Sequence, residues 1–282
     1  MTETELNIGL VGAGRMGTAI ARALSQQGHQ IDAVCSRSGR AAQELAALVG
    51  ARAEVAPWEV ARSCRATLLA VPDREIGTVA SQIAGRDSGW LRGRVVGHLA
   101  GGLGLEVLAP LGDLGAGVAV LHPLAPVPDG DPSCLEGAWA TLEAAGDAHG
   151  WMREICRWLG LGVIPWGGWD RDLYHAAAVL AGVLPVVVEG LGERLARSAG
   201  MPSEVEPALR QLFALAARNA SRLGAGAGLS GPTTRADTQT VARHLRALVE
   251  VEPRLAELYQ LIFDLGASGQ VRPATSGGRI DG

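Results

Sequence analysis

The chain has 282 residues, is 48% hydrophobic and carries a net charge of −4. That length accommodates two domains and a sizeable core, and the charge gives no reason to expect nucleic acid or an anionic membrane as partner. All 25 basic residues are arginine, which excludes a lysine base or a lysine Schiff base.

The polar, acidic start does not read as a signal peptide. An apolar run, Asn7-Ile8-Gly9-Leu10-Val11, then leads into Gly12-Ala13-Gly14-Arg15-Met16-Gly17. G-x-G-x-x-G between a strand and a helix is the setting of dinucleotide binding. The first glycine permits the tight turn, the second lets a pyrophosphate approach the backbone, and the third lets helix and strand close up. A helix over about 16–27 points its amino end, with free N–H groups, at the phosphates. Gly12, Gly14, Arg15, Met16 and Gly17 are the expected contacts.

The second strand, Gln30 to Cys35, ends in Ser36-Arg37-Ser38. NAD sites place a carboxylate near this tip for the ribose 2′-hydroxyl. Here none follows the strand, and Asp32 falls inside it. A guanidinium between two serines suits a 2′-phosphate, with Arg40 three residues on. The expected cofactor is NADP(H), held at Ser36, Arg37 and Ser38.

Ala66 to Val71 is a continuous apolar run, as in a strand buried on both faces. It stops at Pro72-Asp73, which puts Val71 and Pro72 beside the cofactor, and a helix follows over about 76–84. Val95 to Leu99 is the next strand and turns at Ala100-Gly101-Gly102. Val118 to Leu121 ends in His122-Pro123. Strands near 139–142 and 162–165 flank a helix over 147–159. The alternation predicts a doubly wound, mostly parallel α/β sheet occupying residues 1–167.

After Gly167-Gly168 the pattern is helical: 170–199, 204–223, 234–249 and 253–265. Asp170 is the expected N-cap of the first, and Pro185 is expected to kink it. An all-α carboxyl-terminal domain over 168–270 and a disordered tail over 271–282 follow. The apolar run Ala176 to Val188 is too short to span a bilayer and reads as a buried helix. Four scattered cysteines read as reduced thiols of a cytoplasmic protein. No zinc-type spacing is present, so no metal is expected.

Ligands of open α/β sheets sit beyond the carboxyl ends of the strands, where Asp73, His98 and His122 fall. His122, at a strand end before a proline, is placed to protonate a developing amine or alkoxide. His98 reads as structural and Asp73 as a helix cap. In the helical half, Ser230-Gly231-Pro232-Thr233-Thr234-Arg235-Ala236-Asp237 begins a helix. Thr234, Asp237, Val241 and His244 share one helical face, which can present hydroxyl, carboxylate and imidazole to the cleft between the domains. Arg235 suits a substrate carboxylate. The alternative is that Thr234 and Asp237 form a near capping box. Tyr174 and His175, with Trp166 and Trp169, read as packing.

The chain resembles the Rossmann-like proteins whose carboxyl-terminal region is domain of unknown function 2520. The resemblance rests on Gly12 to Gly17, Val71-Pro72-Asp73, His98 with Gly101, Leu121-His122-Pro123-Leu124, Tyr174-His175-Ala176-Ala177-Ala178, and Gly231-Pro232 through Arg235 and Asp237 to His244-Leu245. More distantly it is similar to pyrroline-5-carboxylate reductase, which has a glycine-threonine-threonine turn, and to prephenate dehydrogenase, which has a His-Pro after a strand. These parallels imply roles for Thr233, Thr234 and His122, and the family resemblance implies dimerisation through the helical domain. The chain departs from the family where Val183 replaces an asparagine and Ala236 a glycine; related β-hydroxyacid dehydrogenases also use a lysine. The resulting expectation is a cytoplasmic, homodimeric, NADPH-dependent oxidoreductase that reduces a small imine or carbonyl in the cleft between its domains. His122 would donate the proton, and Thr234, Arg235 and Asp237 would orient the substrate. The alternative is a non-catalytic NADP(H)-binding sensor or interaction module.

Overall fold

The computed structural model describes residues 7–85, 89–235 and 237–269, and of Thr234 the backbone alone. The tail expected to be disordered lies outside the described residues. The chain divides into two compact units, with the break between Leu184 and Pro185.

The first unit runs β1 (Ile8–Val11), α1 (Arg15–Gln26), β2 (Ile31–Cys35), α2 (Gly39–Val49), β3 (Arg52–Glu54), α3 (Pro57–Ser63), β4 (Ala66–Leu69), α4 (Asp73–Ala84), β5 (Val95–His98), the single turn α5 (Ala109–Gly112), β6 (Gly117–Leu124), β7 (Trp139–Ala145), α6 (Ala148–Trp158), β8 (Gly162–Pro165) and α7 (Arg171–Gly182). One eight-stranded sheet has the order β3-β2-β1-β4-β5-β6-β7-β8. It is parallel throughout except at β6–β7. Strand residues alternate between two core layers. Leu10, Leu68 and Ala119 join Ile20 and Leu24 of α1 and Met152 of α6, while Val11, Leu69 and Val96 join Ile76 and Ile83 of α4. Burial on both faces is why these strands read as unbroken apolar runs. The doubly wound, mostly parallel sheet is as expected. The short edge strand β3 went unread because Arg-Ala-Glu has no strand pattern.

Strand β6 is longer than its sequence suggests. Its parallel pairing with β5 stops at Val120 opposite His98, but β7 pairs with it antiparallel as far as Leu124 opposite Trp139. Pro123 can stand in this strand because the ribbon beyond Val120 has β7 as its ladder partner, leaving the side without an N–H unpaired. His122 therefore sits where β6 runs on past its pairing with β5, flanked by β7, which is itself paired with β8, and it lies within a strand and not at its end. Asp73 also differs from expectation: Pro72 occupies the N-cap position, and Asp73 lies inside the first turn of α4, where a carboxylate favours the helix dipole.

The helix expected over 170–199 is two helices, α7 and α8 (Leu184–Ser198), broken at Val183. Pro185 falls in the first turn of α8, where a missing N–H costs no helical bond, and the single residue between the helices, Val183, keeps αR dihedrals with its N–H on the Val179 carbonyl at 2.9 Å, so the interruption lies two residues before the proline. Asp170 caps α7 as expected, accepting from the Leu173 N–H at 2.9 Å. The apolar stretch is not buried: α7 contains no buried residue, and Leu180 is 63% exposed. By length and composition, Arg171–Ser198 is apolar enough to cross a bilayer. Its first turn is instead tied to the sheet through Tyr174.

The second unit continues with α9 (Val205–Leu223), α10 (Ala225–Gly228), α11 (Pro232–Arg235), α12 (Thr238–Val251) and α13 (Pro253–Ala267). Its small core gathers Leu248, Leu255 and Ala256 with Leu191, Leu195 and Leu245. Ion pairs Arg197–Glu206 and Arg210–Glu193, both 2.6 Å, join α8 to α9.

Candidate active site

The glycine loop is built as its spacing requires. Gly12 has φ +113°, and a Cβ there would overlap the Ala70 carbonyl at the end of β4; one on Gly17 would overlap the Gly12 carbonyl. Gly14, the N-cap of α1, faces open space. This cradle is what a pyrophosphate needs at a helix amino end. The Gly12 N–H donates to the Cys35 carbonyl and the Ala70 N–H to the Val11 carbonyl, each at 2.7 Å, so the loop is fixed between β2 and β4.

A cavity of about 570 Å³ opens beside the loop, and Gly12, Gly14, Ser36, Arg37, Ser38, Val71 and Pro72 all line it. Seven expected cofactor contacts are thus brought together. Arg37 is exposed and makes no hydrogen bond or ion pair with another described residue, whereas Arg40 is engaged with Glu44 at 2.7 Å. Ser38 also caps α2, its Oγ accepting from the Ala41 N–H at 3.3 Å. Asp32 does not line the cavity, and its Oδ1 is buried without a partner. The remaining three expected contacts do not line it either. Met16 packs against the core, Gly17 makes the helix–strand approach, and the Arg15 guanidinium donates to the Pro128 carbonyl at 3.2 Å. The open Gly14 and the free Arg37 fit a nicotinamide dinucleotide.

The second feature is a polar chain on the β6–β7 extension. His122 and Thr141 stand directly opposite each other in the antiparallel register. The Tyr174 hydroxyl, from the first turn of α7, lies 2.6 Å from His122 Nδ1 and 2.9 Å from Thr141 Oγ1. The imidazole face packs on Gly101, where a Cβ would stand 2.6 to 2.8 Å from three ring atoms. His175 meets the same ring edge-on at 5.7 Å between centroids. Burial, aided by the nearby His175, pushes His122 from 6.5 down to about 4, so the ring is neutral at pH 7. Burial likewise raises Tyr174. Trp166 packs edge-on against Tyr174, and Arg171 stacks 4.0 Å over Trp166 while paired with Glu143.

A neutral imidazole carries one N–H. If Tyr174 donates to Nδ1, Nε2 bears the proton; if Nδ1 donates to Tyr174, Nε2 is a bare acceptor. His122 Nε2 makes no hydrogen bond to another described residue, so it is left for a ligand. His122 and Tyr174 line a cavity of about 540 Å³. Sequence reasoning singled out His122 but took Tyr174 and His175 for packing and missed Thr141 and the glycine contact. The Tyr174-His175 pair beside a His-Pro strand was the available signal; Thr141 becomes visible only through the register.

His98 is structural as expected. It is fully buried, with Nε2 on the Gly104 carbonyl at 3.1 Å and Nδ1 accepting from the Ala100 N–H at 3.2 Å. Burial lowers its pKa, consistent with a neutral ring.

The remaining candidates lie in the second unit. Thr234 and Arg235 belong to the one-turn α11, separate from α12, so Thr234 does not share a helix with Val241 and His244. Arg235 is exposed; the Thr234 side chain and Ala236 lie outside the described residues. Asp237 is the N-cap of α12, accepting from the Thr240 N–H at 3.0 Å, and that bond holds its pKa below the usual carboxylate range. His244 is bonded to the Tyr259 hydroxyl at 2.8 Å. Among the described residues no group of three His, Cys, Asp or Glu side chains is placed to hold a metal.

The Rossmann-like domain family matches residues 1–123, and domain of unknown function DUF2520 matches residues 138–264. No curated protein matches the chain. Among solved structures, a Bacteroides fragilis protein assigned as an NADP oxidoreductase is 22% identical with a TM-score of 0.78, covering 94% of this chain and 98% of its own. An imine reductase from Myxococcus stipitatus, solved with NADP+, is 19% identical with a TM-score of 0.64, covering 94% and 96%; a variant of it is solved with NAD+. A pyrroline-5-carboxylate reductase from Coxiella burnetii is 20% identical with a TM-score of 0.57, covering 94% and 97%. At these identities the likeness is one of fold.

Proposed function

We propose that this chain, a Rossmann-like domain joined to a domain of unknown function DUF2520, is an NADPH-dependent reductase of a small C=N or C=O substrate. The observation that carries the proposal is the chain Thr141–Tyr174–His122, which ends on a free imidazole nitrogen at the carboxyl edge of the sheet that bears the glycine-loop cavity. The fold shared with an NADP oxidoreductase and an imine reductase supports the same class.

Arg37 supports NADP(H) over NAD(H). It offers a planar fork to a 2′-phosphate, Ser36 and Ser38 flank it, and the carboxylate in the cavity wall, Glu75, comes from α4 and is paired with Arg74. When bound, the reduced nicotinamide supplies a hydride to the substrate carbon. His122 Nε2–H gives its proton to the nitrogen or oxygen that gains the electron pair while Nδ1 takes the Tyr174 hydroxyl proton; Thr141 donates a hydrogen bond to the tyrosine oxygen, which solvent reprotonates as product leaves. In the opposite direction the same hydroxyls turn, and Nε2 accepts the proton. The exposed Val186, Val187 and Val188 of α8 support burial against a second copy of the chain.

The test is NADPH oxidation against a panel of imines, ketones and keto acids, with His122→Ala alongside. Turnover by the native protein that falls at least about a hundredfold in the variant, the size of a general-acid contribution, supports the reading. Tight NADPH binding without turnover on any member points to the sensor instead, and tighter binding of NADH removes the assignment of NADP(H).

A further inference from the structure

The cavity beside His122 has a chemical character that goes beyond the proposed reaction. Its walls come from Pro123 to Pro126 at the end of β6 and from one side of α7, where Ala177, Ala178, Ala181 and Gly182 leave it wide. Its volume of about 540 Å³ lies in the range of small-molecule sites. Not one lining residue is an Asp, Glu or Arg. The polar lining side chains are His122, Tyr174 and His175; His122 and Tyr174 are both uncharged at pH 7. Arg171, the cation whose field reaches His122, is spent on Glu143 and Trp166 and stays out of the wall. The exposed Asp73 also reaches His122, with the opposite sign.

We infer that this cavity takes a neutral substrate with an apolar body and a single hydrogen-bonding group set against His122, and that it discriminates against substrates bearing a carboxylate. The inference rests on the proposed reductase reading for the identity of that group as an imine or carbonyl. A carboxylate in this cavity leaves water without gaining an arginine or its fork of donors, which is costly. An apolar ring gains contact with proline, leucine and alanine side chains. The small residues of α7 leave room for a substituent larger than methyl.

The experiment compares matched pairs on the full chain. 2-Phenyl-1-pyrroline and 2-methyl-1-pyrroline are set against 1-pyrroline-2-carboxylate, first by kcat/KM with NADPH, then by calorimetric binding to the protein loaded with NADP+. The neutral compounds are expected to be favoured at least about tenfold in both readouts. A preference for the carboxylate in binding overturns the inference while leaving a reductase. Neutral preference in binding with no turnover on any compound supports the inference about the cavity and overturns the reductase reading. Ala178→Arg, on the α7 wall of the cavity and outside the glycine loop, is expected to raise carboxylate affinity about tenfold. If it changes neither affinity, the ligand does not lie along α7 and the inference falls.

Discussion

The Tyr174 hydroxyl sits 2.6 Å from His122 Nδ1 and reaches Thr141 with its other side. Three elements, β6, β7 and α7, thus meet in one hydrogen-bonded line. Tyr174→Phe keeps the ring against Trp166 but cuts the line. It is expected to lower kcat about 10- to 100-fold with KM little changed, the signature of an interaction made in the transition state. Steady-state kinetics on any substrate found by the panel checks this; an unchanged kcat leaves Tyr174 as packing.

Stability should depend on pH through His122. An unfolded imidazole binds a proton below about 6.5, whereas the folded one resists until about 4. Between these values the unfolded state holds more protons, so stability present above pH 6.5 is lost as pH falls towards 4. The full span corresponds to about 3 kcal/mol, an upper value because the ring is not wholly enclosed. His122→Asn should flatten this slope in denaturant titrations at pH 7, 5.5 and 4.5. An equal slope in the variant assigns the pH response to other groups.

Gly101 is the floor under the imidazole. In Gly101→Ala the new methyl would stand 2.6 to 2.8 Å from ring atoms of His122, so the ring must shift at a cost of about 1 to 3 kcal/mol. The expected result is a drop in kcat of at least about tenfold with NADPH affinity unchanged. Fluorescence titration with NADPH separates the two effects.

Arg37→Ser removes the free guanidinium at the tip of β2. Loss of charge-assisted hydrogen bonds worth about 1.5 to 3 kcal/mol should weaken NADPH binding about 10- to 100-fold. The NADH dissociation constant should stay put. Parallel weakening of both would show that Arg37 does not read the 2′-phosphate.

Asp237 offers a direct choice between cap and substrate contact. Asp237→Asn retains an acceptor for the Thr240 N–H and should keep the native melting temperature, while Asp237→Ala should lower it. If the Asn variant also retains kcat/KM, the carboxylate charge has no part in turnover.

Much of the first unit was legible because strands buried on both faces carry unbroken apolar runs, as at Ala66 to Leu69, and because Gly12 and Gly17 have steric reasons to be glycine. The Ser36-Arg37-Ser38 tip was readable for the same kind of reason, since its chemistry is local. The β6 extension was not. Its length depends on an antiparallel partner some twenty residues on, and a proline in the strand argues for an early stop. The pairing of His122 with Thr141 is a fact of register, and the Tyr174 contact spans a loop, so neither leaves a periodic trace. At Val183 the apolar run hid where the helix is interrupted, because proline in a first turn of helix gives the same local signal as proline in a kink.

The glycine loop follows β1, and His122 follows the end of β6's parallel pairing, with β4 and β5 between them. Three strand spacings of roughly 4.8 Å put these two tips about 14 Å apart across the sheet. Hydrogen-bonded strands do not stretch, so the sheet acts as a ruler between the glycine loop and His122. A redesign that enlarges the cavity along α7 therefore leaves that interval untouched, whereas one that inserts or deletes a strand between β1 and β6 would change it by a whole strand spacing.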